Sequence, residues 1–186
     1  SNSTMSRNIR RNAGLHFVEN LTTQDISNEN VFFIINRERR DRNMIYGFTE
    51  DGSECIFALG NQTRGAHVYD IDVKIIGGTP YLFSAGRIRG GGFFRSCNLT
   101  TMACNQQNFG RGLISSLMRM SVNNEGTIVY MTDRRDGSLH GRRLVASNGA
   151  LGLDAEVRRC DRAESPNLTS EMAYATTVAV SPANSN

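Results

Sequence analysis

Met118-Arg119-Met120-Ser121-Val122, then Asn123-Asn124-Glu125-Gly126, then Thr127-Ile128-Val129-Tyr130-Met131 is the stretch that decides the fold. Apolar and polar side chains alternate through the first segment, which is the signature of a strand with one face buried. Four turn-forming residues follow, and the last segment is β-branched and aromatic, so the pair reads as two strands joined by a tight turn. The helical spacing of Leu113, Ile114, Leu117 and Met118 offers one short helix as the alternative at its start. Downstream, Asp136-Gly137 turns into Arg143-Leu144-Val145-Ala146. Leu153, Ala155 and Val157 then alternate with Asp154, Glu156 and Arg158, which predicts an inward apolar face on the segment that carries Cys160. Tyr174, Thr176, Val178 and Val180 form a last candidate strand.

Upstream the pattern is the same. Val31-Phe32-Phe33-Ile34-Ile35 is a compact run of β-formers, and Met44 to Phe48 is another. Glu50-Asp51-Gly52 turns the chain back into Cys55-Ile56-Phe57-Ala58-Leu59, because Asp-Gly tolerates the positive φ angles of a tight hairpin. Val68, Ile71, Val73 and Ile75 mark the segment from Ala66 to Ile76, and Gly77-Gly78-Thr79-Pro80 turns it into Tyr81-Leu82-Phe83. The glycine-rich segment from Gly86 to Arg95 fits a bulged strand or a loop equally well. About eight to ten short strands at this spacing predict an all-β protein, an antiparallel sandwich or barrel.

At 186 residues the chain suits one domain. Residues 1–15, with Arg7, Arg10 and Arg11 among Asn and Ser, lack any apolar period and read as a flexible arm. Residues 16–180 form the β-rich domain, and 181–186 read as a tail. No stretch approaches the ~20 apolar residues of a membrane-spanning helix. The chain opens on the polar run Ser1-Asn2-Ser3-Thr4 rather than an apolar leader, so an exported protein is expected here in its mature form or as a trimmed chain.

Export is the expected route, on two grounds. The cysteines are even in number: Cys55, Cys97, Cys104 and Cys160. Cys97 and Cys104 enclose a short polar loop that suits a local disulfide, which leaves Cys55 with Cys160 as a long-range staple; sequence alone does not choose among the pairings. In addition, Asn2, Asn20, Asn61, Asn98 and Asn167 each stand in an N-x-S/T acceptor motif, several of them at turn-like positions.

Lys74 is the single lysine; every other basic residue is arginine. Arginine presents a planar fork of donors that matches sulfate, phosphate and carboxylate. Arg87, Arg89 and Arg95 are therefore the candidate site for an acidic partner, an anionic glycan or an extracellular protein. The same segment with Phe93, Phe94 and Phe109 superficially resembles Arg-Gly-rich nucleic-acid-binding tracts. The tract is short and lies beside Cys97 and Cys104, so nucleic acid ranks below those partners.

No catalytic constellation emerges. H-E-x-x-H, G-x-S-x-G and the phosphate-cradling G-x-x-x-x-G-K-[ST] are all missing from the sequence. Asp70 and Asp72 place two carboxylates on one strand face, a spacing that occurs often on solvated strands. Asp133-Arg134-Arg135-Asp136-Gly137 resembles the start of a calcium loop, but its twelfth position is Leu144 rather than a bidentate glutamate. His140, near Asp136, reads as a surface histidine. No metal site and no cofactor is expected.

Three segments carry a family resemblance. Leu59 to Tyr69, then Gly126-Thr127-Ile128-Val129, then Ser147 to Val157 follow in the order found in the insect multiprotein-bridging-factor-two-like proteins, with Ser147, Gly152 and the Leu153/Ala155/Val157 face at the matching positions of the last. About half the chain is similar; the region between Tyr81 and Asn108 and the cysteines depart from the pattern. The resemblance implies a small secreted arthropod β-domain with no family active site. The expected function is thus a secreted, non-catalytic protein that acts by binding or assembly. A component of an extracellular material (silk, cuticle or egg covering) is the second expectation, and a secreted enzyme using Asp70, Asp72 or His140 the third.

Overall fold

The computed structural model describes residues 15–23, 26–36, 44–60, 66–110, 113–133, 135 and 137–160. The candidate strand at Tyr174 to Val180, the predicted tail and residues 1–14 of the predicted arm lie outside them, while Leu15, the arm's last residue, begins a strand. The chain is all-β, with three antiparallel four-stranded sheets and no helix among the described residues. The first sheet holds β1 (Leu15–Leu21), β2 (Glu29–Asn36), β3 (Met44–Thr49) and β4 (Cys55–Leu59). The central sheet holds β5 (His67–Ile76), β6 (Thr79–Ile88), β7 (Gly91–Asn98) and β8 (Cys104–Asn108), and the third holds β9 (Leu117–Val122), β10 (Ile128–Asp133), β11 (Leu139–Ser147) and β12 (Ala150–Cys160). Within each sheet the strands lie in chain order, so every hydrogen-bonded connection joins sequence neighbours.

Twelve strands exceed the eight to ten expected: β1 and β8 are not among the strands the sequence predicts, and the glycine-rich segment belongs to two strands. The short predicted helix at Leu113 does not form; the chain there makes a turn closed by Ile114 N–H on the Gly110 carbonyl, and Leu117 already begins β9. Cys104 to Asn108 is polar, with no apolar alternation, yet pairs with β7. The glycine-rich segment is neither bulge nor loop alone, but the end of β6, a turn at Arg89 and Gly90, and the start of β7.

The sheets stack in three layers. The middle strands of the central sheet are covered on both faces: β6 is buried from Leu82 to Gly86, and β7 throughout. Leu82, Phe93 and Cys97 face the first sheet and pack with Val31, Phe33, Ile35 and Ile45. Phe83, Ala85 and Phe94 face the third and pack with Met120, Val122, Val129 and Met131. The period of two thus sorts one strand into two cores, which is why β6 and β7 read as nearly continuous runs rather than as alternation.

The third sheet is fastened to the central one at both of its edges by side chains. On edge strand β9, the backbone N–H groups of Met120 and Val122 donate to the carboxylates of Asp70 and Asp72 on β5, at 2.8 and 2.9 Å. On edge strand β12, Leu151 donates its N–H to Ser96 Oγ at 2.9 Å, and the same hydroxyl donates to the Leu151 carbonyl. Asn98 Nδ2 donates to the Gly149 carbonyl at 3.3 Å. Edge groups that would otherwise invite another strand are thereby satisfied inside the molecule.

Candidate functional site

Because the central and third sheets are meanders laid side by side, their connections fall into two sets at opposite ends. One end gathers the start of β5, the Arg89-Gly90 turn, the 109–116 segment, the turn after Asp133 and the end of β12. The other gathers Gly77 and Gly78, residues 99–103, residues 123–127 and the Asn148-Gly149 turn. The first end carries the exposed Arg87, Arg89 and Arg135 with His67, and the connections of the second hold no arginine. The exposed arginines nearest the described connections are thus gathered at one end.

At the arginine end Arg87 and Arg89 are exposed and form no ion pair among the described residues. Arg87 stands opposite His67 in the β5–β6 ladder, and both side chains face solvent. The turn that presents them depends on glycine. Gly90 has φ +116°, and a Cβ on Gly91 would collide with the Phe109 carbonyl. Gly92 donates its N–H to the Ile114 carbonyl at 2.8 Å and accepts from Phe109 N–H at 2.9 Å. The glycines therefore serve close packing of the 109–114 segment, which sets the tract apart from a flexible Arg-Gly repeat. The segment is pinned from the other side: Asp133 accepts from Ser115 N–H at 2.6 Å and Ser116 N–H at 3.2 Å.

Arg95 does not belong to this surface. It is 5 % exposed, points toward the first sheet and donates to the Gly60 carbonyl at 3.1 Å. Its place on β7, a strand covered on both faces, withdraws it from any external polyanion.

The other candidates are also reassigned. Asp70 and Asp72 are consumed by the β9 edge, as above. Burial pushes the Asp70 carboxyl above its ordinary value, against the hydrogen bond from Met120 and the Arg119 guanidinium at 3.5 Å. His140 is buried rather than on the surface. Its Nε2 lies 2.7 Å from Ser138 Oγ and its Nδ1 2.6 Å from Glu156 Oε1. A Ser–His–Glu line of this kind has the distances of an acyl-transfer triad. Here the Ser138 residue has no exposed surface, so no substrate carbonyl reaches its hydroxyl in this structure. What the line does is tie β11 to β12 where their register shifts. That shift also explains why Ala155 is exposed, against the predicted alternation, while Glu156 reaches in to His140. Ser138 stands just before β11, and the register shift that brings Glu156 to His140 leaves no sequence signal.

Cys97 and Cys104 form a disulfide across neighbouring strands β7 and β8. Cys55 carries a free thiol on the exposed side of β4, so the long-range Cys55–Cys160 staple is not formed. Among the acceptor motifs, Asn20 is exposed on edge strand β1. Asn98 is 8 % exposed, with its amide nitrogen engaged on Gly149 and its oxygen accepting from Thr100 and Thr101; it has no room for a glycan. Asn2, Asn61 and Asn167 lie outside the described residues.

No family model matches the chain, and no curated protein matches it. Among the described residues no group of three or more His, Cys, Asp or Glu side chains gathers as a metal site, and no helix is long and apolar enough to cross a membrane.

Proposed function

We propose that the chain is an exported, non-catalytic protein that binds a polyanionic partner, such as a sulfated glycan or an acidic protein surface, at the arginine end of its sandwich. The observation that carries this reading is that Arg87 and Arg89 stand exposed at one end without an ion pair among the described residues, Arg87 opposite His67, while the opposite connections hold no arginine. A guanidinium kept in water without an acid partner is available to a sulfate or carboxylate at little desolvation cost. The polar groups that enzyme readings would need are spent on architecture: Asp70 and Asp72 on β9, His140 between Ser138 and Glu156. The Cys97–Cys104 disulfide and the exposed Asn20 acceptor support export.

The test is salt elution from immobilised heparin. Arg87→Ala with Arg89→Ala should elute at clearly lower salt than the parent and lower the salt-dependence slope by about two, one released counterion per lost contact. Arg143→Ala, an exposed arginine in the body of β11, should leave the slope nearly unchanged. Equal retention of parent and double variant would refute the site.

A second reading, assembly into an extracellular material, is favoured by the outer face of the first sheet. Phe17, 38 % exposed, lies with its ring tilted 4.6 Å from that of Phe32, and Tyr46 and Phe48 lie half-buried on the strand next to Phe32. Sedimentation at high concentration separates the two: a monomer leaves the polyanion reading alone.

A further inference from the structure

Arg95 holds a second, independent site. A buried guanidinium is ordinarily matched by a carboxylate, because an unpaired charge out of water is costly. Among the described residues no carboxylate pairs with Arg95. Its partners are the Gly60 carbonyl and the sulfur of Cys104, 3.5 Å from Nη2. Burial alone pulls its pKa down from the ordinary value, with no acid to offset the effect. The group stays protonated nonetheless, since arginine does not lose its proton in proteins. Cys104 is half-buried and Cys97 is 1 % exposed, so the sulfur that a reagent meets is the one beside the guanidinium.

We infer that Cys97–Cys104 is a redox-active disulfide whose reduced form is stabilised by Arg95, with a dithiol as its exchange partner. A reductant thiolate attacks Cys104 Sγ, the S–S bond breaks, and its electron pair leaves on Cys97 Sγ, which takes up a proton. The reductant's second thiol loses its proton and attacks the reductant's own sulfur in the mixed disulfide. Cys104 departs as a thiolate against the Arg95 guanidinium, and the reductant ends as a cyclic disulfide. Reduction thereby creates the counter-ion that Arg95 lacks in the oxidised protein. A thiolate held by a cation is both a better leaving group and a more stable product, which makes the bond more readily reduced. The same guanidinium holds Gly60 at the end of β4, so the redox state acts on the seam between the central and first sheets.

The experiment isolates one thiol in the full-length chain by Cys55→Ser, Cys97→Ser and Cys160→Ser, and titrates thiolate absorbance at 240 nm, a readout that does not depend on access. Most of the high-pH absorbance should already be present at pH 7, against the few per cent expected of an ordinary thiol. Adding Arg95→Gln should reduce the thiolate fraction at pH 7 at least about tenfold, and Arg95→Lys should restore part of it. An ordinary thiolate fraction in the parent overturns the inference, whether or not Arg95→Gln folds. Heparin retention plays no part in the readout, so the polyanion reading stands or falls separately.

Discussion

Asp72→Ala tests how the third sheet is held. Asp72 is 5 % exposed and accepts the Val122 N–H at 2.9 Å on the edge of β9, inside the packed boundary between sheets. Removing it leaves a buried N–H without an acceptor, which costs about 1–3 kcal/mol, and a bond to a charged acceptor lies at the upper part of that range. The contact with His16 Nε2 at 3.4 Å is lost as well, while the desolvation of the carboxylate is relieved. The net expectation is about 2 kcal/mol of destabilisation, a substantial part of the ~5–15 kcal/mol of an ordinary domain. With a urea slope of about 2 kcal/mol/M the unfolding midpoint should fall by about 1 M. The chain has no tryptophan, so far-UV circular dichroism is the suitable probe. Native-state hydrogen exchange should show the Val122 amide losing protection by about thirtyfold, the same energy read locally. Asp72→Asn keeps an acceptor oxygen in place and should remain within about 1 kcal/mol of the parent. A midpoint for Asp72→Ala within about 0.3 M of the parent, with Val122 exchange unchanged, would mean that Asp72 does not anchor β9.

Three further outcomes are expected. His16 has its pKa lowered, by burial first and by Lys74, against the opposing pull of Asp72 and the Val73 backbone, so its folded value lies below its unfolded one. Stability should therefore be full above the ordinary histidine range near ~6.5 and fall as pH drops through the folded value; His16→Gln should flatten that limb in melting temperatures taken from pH 8 to 4. Gly91→Ala should cost about 2 kcal/mol or more, because its Cβ meets the Phe109 carbonyl, whereas Gly77→Ala, with open space around it and φ +56°, should cost about 1 kcal/mol; urea midpoints compare them. Ser138 should stay unlabelled by a fluorophosphonate probe in the native protein, and labelling abolished by His140→Ala would revive the enzyme reading.

The legible part of the fold was its turns and half-buried strands. Asp51-Gly52 closes β3 onto β4 as its chemistry requires: Gly52 has φ +69°, and the Asp51 carboxylate accepts from Thr49 and Ser53, which holds its pKa down to about 2. Asn123 to Gly126 turns β9 into β10 for similar reasons. What stayed hidden depended on layers. Nothing local distinguishes a strand buried on both faces from a loop rich in glycine and phenylalanine, so Gly86 to Arg95 had no clear reading. For the same reason Arg95 looked like its neighbours Arg87 and Arg89, although one residue lies between two sheets and the others in water. Asp70 and Asp72 were visible as a pair, but their partners are fifty residues away on β9. Glu156 reached His140 only through a register shift.

Backbone amide mapping by nuclear magnetic resonance with a short sulfated oligosaccharide locates the bound surface residue by residue. Shifts should concentrate on His67, Arg87, Arg89, Gly90 and Arg135, and spare Gly77, Gly78, Asn124 and Asn148 at the far end. Perturbations centred on that far end, or none at saturating ligand, would contradict a polyanion site at the arginine end.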